Sequence, residues 1–106
     1  MPKYLLEVAY TAQGAKGVLK DGGTKRRAAA QKAIKSLGGK MEVFYFAFGS
    51  ADAIVIAELP DAVSAAAMSL AVSSTGPAGA TVRVLLSAED IDKAARKTTS
   101  YTPPGS

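Results

Sequence analysis

The chain has 106 residues, of which 48% are hydrophobic, 7% aromatic and 21% charged, and its 13 Lys and Arg outweigh 9 Asp and Glu for a formal charge of +4. That length supports one domain, and the apolar fraction belongs to a folded globule rather than a disordered chain. Cys and His are both absent, which excludes disulfides, thiolate nucleophiles and imidazole ligation of haem or transition metals, so no cofactor is expected.

Lys3 to Tyr10 mixes β-branched and aromatic residues and predicts a strand. Thr11 can cap a short helix over 12–20 that Gly14 and Gly17 weaken by about 1 kcal/mol each. After Asp21-Gly22-Gly23, Thr24 is the expected N-cap of a longer helix from Lys25 to Leu37. Its Ala30, Ala33, Ile34 and Leu37 recur at helical spacing, and Gly38 is its expected left-handed C-cap. Met41 to Phe48 predicts a second strand, Gly49-Ser50-Ala51-Asp52 a hairpin turn and Ala53 to Leu59 a third strand. Asp61 should cap a helix over 62–73 whose apolar stripe is Val63, Ala66, Ala67 and Leu70. A loop over 73–79 leads to a strand from Thr81 to Leu86, and Ser87 with Asp90 forms a capping box for a last helix ending near Lys97. Residues 1–97 are thus one domain and 98–106 an extended tail. The order β-α-β-β-α-β predicts an α+β fold, a ferredoxin-like sandwich with an extra C-terminal helix.

Alternation along the strands divides their residues between two faces. Tyr4, Leu6, Val8, Tyr10, Val43, Tyr45, Ala47, Ala53, Val55, Ala57, Val82, Val84 and Leu86 are expected beneath the helices. The open face then holds Leu5, Glu7, Ala9, Glu42, Phe44, Phe46, Phe48, Ile54, Ile56, Glu58, Thr81, Arg83 and Leu85. So large an apolar patch implies a second copy packed sheet against sheet, as a homodimer or an assembly of dimers.

Several segments together resemble the GYD-domain family of small bacterial and archaeal proteins over nearly the whole chain. They are Tyr10-Thr11, Gly14-Ala15-Lys16-Gly17, Lys20-Asp21-Gly22-Gly23-Thr24-Lys25-Arg26-Arg27, Ser36-Leu37-Gly38-Gly39, Phe44-Tyr45-Phe46-Ala47-Phe48-Gly49, Leu59-Pro60-Asp61 and Ser87-Ala88-Glu89-Asp90. The family's Gly-Tyr-Asp motif falls on the hairpin turn, where Gly49 and Asp52 fit and Ala51 stands in place of tyrosine. The resemblance implies a dimeric α/β-barrel-like assembly of ferredoxin-like domains and carries no activity with it.

Two places are expected for a small anionic or partly apolar ligand. One lies between paired sheets, with Arg83 as the lone cation among Glu7, Phe44, Phe46 and Tyr10. The other is the helix start Gly22, Gly23 and Thr24 with Arg26 and Arg27, where free N–H groups and cations converge. Asp52 reads as a turn former and Tyr45 as a core aromatic. A cofactor-independent enzyme of the dimeric α/β-barrel, monooxygenase-like type is the alternative, by likeness of fold alone. Nucleic-acid binding is disfavoured, because Glu7, Glu42 and Glu58 share the face that carries the aromatics. No apolar run nears the ~18 residues of a membrane span and no signal-peptide layout opens the chain, so a cytoplasmic location without membrane contact is expected.

Overall fold

A computed structural model describes residues 1–105, so Ser106, the end of the expected tail, lies outside the described residues. The elements in order are β1 (Lys3–Tyr10), α1 (Ala12–Asp21), α2 (Gly23–Ser36), β2 (Lys40–Phe46), β3 (Ala53–Glu58), α3 (Ala62–Ser73), β4 (Ala78–Leu85) and α4 (Ala88–Ala95). The four strands form one antiparallel sheet in the order β2-β3-β1-β4. This is an α+β domain with four helices, consistent with the ferredoxin-like arrangement read from the element order. No helix among the described residues is long and apolar enough to cross a membrane.

Turn chemistry sets most of the boundaries. Thr11 accepts a hydrogen bond from the Gly14 N–H at 3.3 Å and caps α1, while its own N–H and hydroxyl donate to the Pro77 carbonyl at 2.9 and 3.1 Å. Helix α1 ends at Gly22, and α2 begins at the next residue. Gly22 has φ of +80°, a value glycine adopts without strain, and its N–H closes α1 on the Val18 carbonyl at 2.8 Å. The expected cap at Thr24 is therefore corrected: Gly22 is the N-cap of α2 and supplies no side-chain hydrogen bond. At the other end, Gly38 (φ +79°) donates to Lys35 at 2.9 Å and Gly39 to Ile34 at 3.0 Å, which together make a Schellman motif.

Asp61 accepts from the Ser64 N–H at 2.8 Å, and Ser87 and Asp90 exchange hydrogen bonds at 3.0 Å in each direction. These backbone hydrogen bonds hold both carboxylates below their ordinary pKa of 3.8. A depressed carboxylate pKa stabilises the fold above the ordinary value and loses that contribution as pH falls through the folded one. Acid titration followed by amide NMR should therefore fray the first turns of α3 and α4 below pH 3.8, ahead of α2, which has no carboxylate cap. Simultaneous fraying of all three helices would contradict this.

The core comprises Tyr4, Leu6, Ile34, Val55, Ala57, Leu59, Ala65 and Met68, with Leu37, Met41, Phe44 and Val72 packed against it. Two expectations about faces are corrected here. In α3 the buried residues are Ala65 and Met68, whereas Val63 and Leu70 are 77% and 70% exposed. The helix is apolar nearly all round, so its period does not single out one face. Its serines do: Ser69 donates to the Ala80 carbonyl at 3.0 Å and Ser73 accepts from the Ala80 N–H at 3.3 Å, turning the 65–69–73 side onto edge strand β4.

The second correction is in β2. The β2–β3 register runs Met41 to Ala57, then Val43 to Ile56, leaving Glu42 as a bulge. Beyond it, Phe44 and Phe46 share the helix side with Val55 and Ala53, while Val43 and Tyr45 lie on the open side with Ile56 and Ile54. Tyr45, expected in the core, is 70% exposed. Unbroken alternation would force a choice between burying Glu42 with the two phenylalanines and exposing all three. One extra residue removes that conflict. The two rings then meet edge to face, 5.2 Å between centroids.

Candidate functional site

The open sheet face has a hydrophobic middle built from Leu5, Val43, Ile54, Ile56 and Leu85, with Tyr45 at its β2 edge. Three cations and three carboxylates frame it. Lys3 pairs with Glu42 at 2.9 Å, Arg83 with Glu7 at 3.2 Å, and Glu58 stands in register with both Lys3 and Lys40. The hydrogen bond to Glu42, helped by its charge, raises the Lys3 pKa above 10.5. The face is formally neutral on a chain whose net charge is +4.

The opposite side of the sheet carries α2 over β2 and α3 over β4. Between these helices runs a cleft whose floor is β1 and β3. Its inner part is an apolar cavity of about 140 Å³ walled by Leu6, Val8, Ala30, Ile34, Phe44 and Val55. Its mouth, about 540 Å³, is bordered by Gln13, Gly17, Asp21, Ala71 and Thr75. Tyr10 and Arg26 line both parts. The Arg26 guanidinium lies 3.9 Å from the Asp21 carboxylate, which also faces Lys25 at 3.7 Å. One carboxylate shared by two cations leaves a positive balance at the cleft's rim.

The expected inter-sheet site is thus divided. Arg83 and Glu7 lie on the open face and pair with each other, whereas Phe44, Phe46 and Tyr10 lie on the helix side. The structure joins Tyr10 and Phe44 to Arg26, a residue expected in the alternative anion site. At that alternative site the Phe46 ring lies over Gly23, reaching within 3.1 Å of where a Cβ would stand. Asp21 already faces Lys25 and Arg26 there, and Gly22, Thr24 and Arg27 are exposed. Asp52 does more than form a turn. Its carboxylate accepts from the Tyr10 N–H at 2.8 Å and its own N–H donates to the Val8 carbonyl at 2.8 Å, which ties the hairpin to the end of β1. The cleft escaped the sequence reading because Ala30 and Ala33 read as core contacts, although residues so small leave space beside them.

Helix α4 stands apart. None of its residues is buried, Ile91 is 53% exposed, and the chain's radius of gyration is 16.7 Å where a compact chain of this length has about 13 Å. It forms an arm with Ala88, Ile91 and Ala95 along one side and charged residues on the other.

These features define a small α+β domain with one unpaired sheet face, one projecting arm and a cleft beneath its helices. The chain belongs to the GYD domain family, whose sequence profile matches residues 4–95. No curated protein and no solved structure matches it.

Proposed function

We propose that this protein acts as a paired binding domain: two copies join through their open sheet faces, and each holds a small molecule in the cleft under its own helices. The observation that carries the pairing is the open face itself, apolar at its centre and balanced in charge at its margins. A second copy brings the same three cations and three carboxylates, so ion pairs can exchange across a two-fold axis without like charges being forced together.

Size supports a role for the arm as well. Four strands spaced by ~4.8 Å and six to eight residues long at ~3.3 Å each give a face of roughly 450 Å² in projection. A stable pair buries about 800 Å² on each partner. Helix α4 adds to the buried area if its Ile91 side lies against the second copy. The ligand-binding half of the proposal rests on the helix-side cleft, which pairing through the other face leaves accessible.

Native mass spectrometry of protein purified from its own host tests both halves at once. The expected result is a particle of twice the 10.8 kDa chain mass carrying a retained small molecule on each chain. Bare single chains at micromolar concentration would overturn the proposal.

A further inference from the structure

We infer that the cleft between α2 and α3 is a site for a compact aromatic carboxylate, ring innermost and carboxylate on Arg26. This rests on the reading of the chain as a paired binding domain and adds the class of ligand. The inner cavity sets the body of that ligand. At about 140 Å³ it is close to the ~150 Å³ apolar cavities that stay dry and admit benzene. Its walls are mostly aliphatic, with Tyr10 and Phe44 as the aromatic members, Met68 as a thioether and Arg26 as the one charged residue. The Phe44 ring can meet an aromatic guest edge to face.

Arg26 sets the head group. It stands where the apolar cavity opens into the mouth, and its contact with Asp21 at 3.9 Å is too long for the bidentate pairing a guanidinium makes with a carboxylate. Lys25 competes for the same Asp21. The guanidinium fork is therefore free to take a ligand carboxylate, and the Tyr10 side chain borders the same junction.

Gly17 is the independent observation. Glycine inside a helix costs stability and usually marks a close approach. Gly14 in the same helix has such a reason, because a Cβ there would run into the Pro77 carbonyl. Gly17 has none: a Cβ there would meet nothing within 4 Å, and the residue borders the mouth of the cleft. Kept without a side chain against local helix preference, this position leaves the mouth open for a ligand to reach the inner cavity.

The test titrates the full-length protein with benzoate and with phenylacetate, following the Gly14 and Gly17 amide signals by NMR, with toluene and inorganic phosphate representing the two halves of the ligand. The acids should saturate at one per chain at millimolar concentration or below, and toluene and phosphate should each bind at least about tenfold more weakly. Arg26→Met should weaken acid binding about tenfold and leave toluene binding unchanged. Gly17→Leu puts a side chain into the mouth and leaves the inner cavity's walls unchanged. It should weaken binding of acids and toluene by obstructing access while raising the thermal midpoint, so the loss cannot be ascribed to unfolding. Acid binding that both variants leave intact would overturn the inference. So would the absence of any cleft shift in a protein that light scattering finds paired, an outcome that leaves pairing standing. Absence of cleft shifts in a single-chain species would overturn both the inference and the proposed function.

Discussion

Ile56→Glu should convert the protein from a pair into a single folded chain. Ile56 lies on β3, in register with Leu5 of β1 and Val43 of β2, at the apolar centre of the open face. In an isolated chain this position is only half-buried, so a glutamate there turns toward water and the core behind it, led by Val55 and Ala57, is untouched. Between two sheets the same carboxylate would be buried without a partner, and twice over because of the two-fold symmetry. Burying an unpaired charge costs several kcal/mol, about a thousandfold or more in the pairing constant. Light scattering should give twice the chain mass for the parent and 10.8 kDa for the variant, with unchanged far-ultraviolet circular dichroism. Phe46→Glu, on the helix side of the bulge, should leave the mass unchanged. If it dissociated the pair and Ile56→Glu did not, the assigned face would be wrong.

Gly39→Ala should be the most destabilising of the glycine substitutions outside α1. A Cβ there would collide with the Glu58 carbonyl, stand 2.7 Å from Leu59 Cδ2 and lie 3.1 Å from Ile34 Cγ2. Leu59 and Ile34 are fully buried, and the carbonyl belongs to the backbone of β3, so none of them can yield cheaply. Overpacking of this kind costs about 1–3 kcal/mol, and a rigid backbone neighbour places it at the upper end. Gly38→Ala should cost about 1–2 kcal/mol through its positive φ alone. Gly17→Ala should instead gain up to about 1 kcal/mol. Thermal midpoints then fall in the order Gly17→Ala, parent, Gly38→Ala, Gly39→Ala, each kcal/mol worth about 4–8 °C in a domain of this size. A Gly39→Ala midpoint equal to that of the parent would contradict the packing described at the end of α2.

Much of this architecture is legible in the residues. Thr11, Asp61 and Ser87 each cap the helix they precede because their short polar side chains have no better partner than an orphan N–H. Gly38 stops α2 for the complementary reason at a C-terminus. What escapes a sequence reading is whatever depends on a choice among near-equal packings. Alternation is blind to a bulge, so Glu42 inverts every assignment after it in β2, including those of Phe44 and Phe46. The parity conflict between Glu42 and the two phenylalanines was the available signal. Helix α3 offers apolar residues in every direction, and two serines bonded to a strand edge decide its rotation. The cleft is harder still. It is the gap between α2 and α3, a tertiary feature whose one local trace is Gly17 of α1, a helix glycine that packs against nothing.

The chain's four isoleucines give the most direct measurement of the central claim, because between them they sample three distinct environments. Ile34 is fully buried on the inner side of α2, Ile54 and Ile56 lie on the open face, and Ile91 lies on the α4 arm. In a methyl NMR dilution series the Ile54, Ile56 and Ile91 signals should shift together with one dissociation constant while Ile34 stays fixed. In a mixture of differently labelled chains, the open-face methyls should show contacts to the second copy. Ile54 and Ile56 signals that remain at their single-chain positions up to millimolar concentration would contradict pairing through this face.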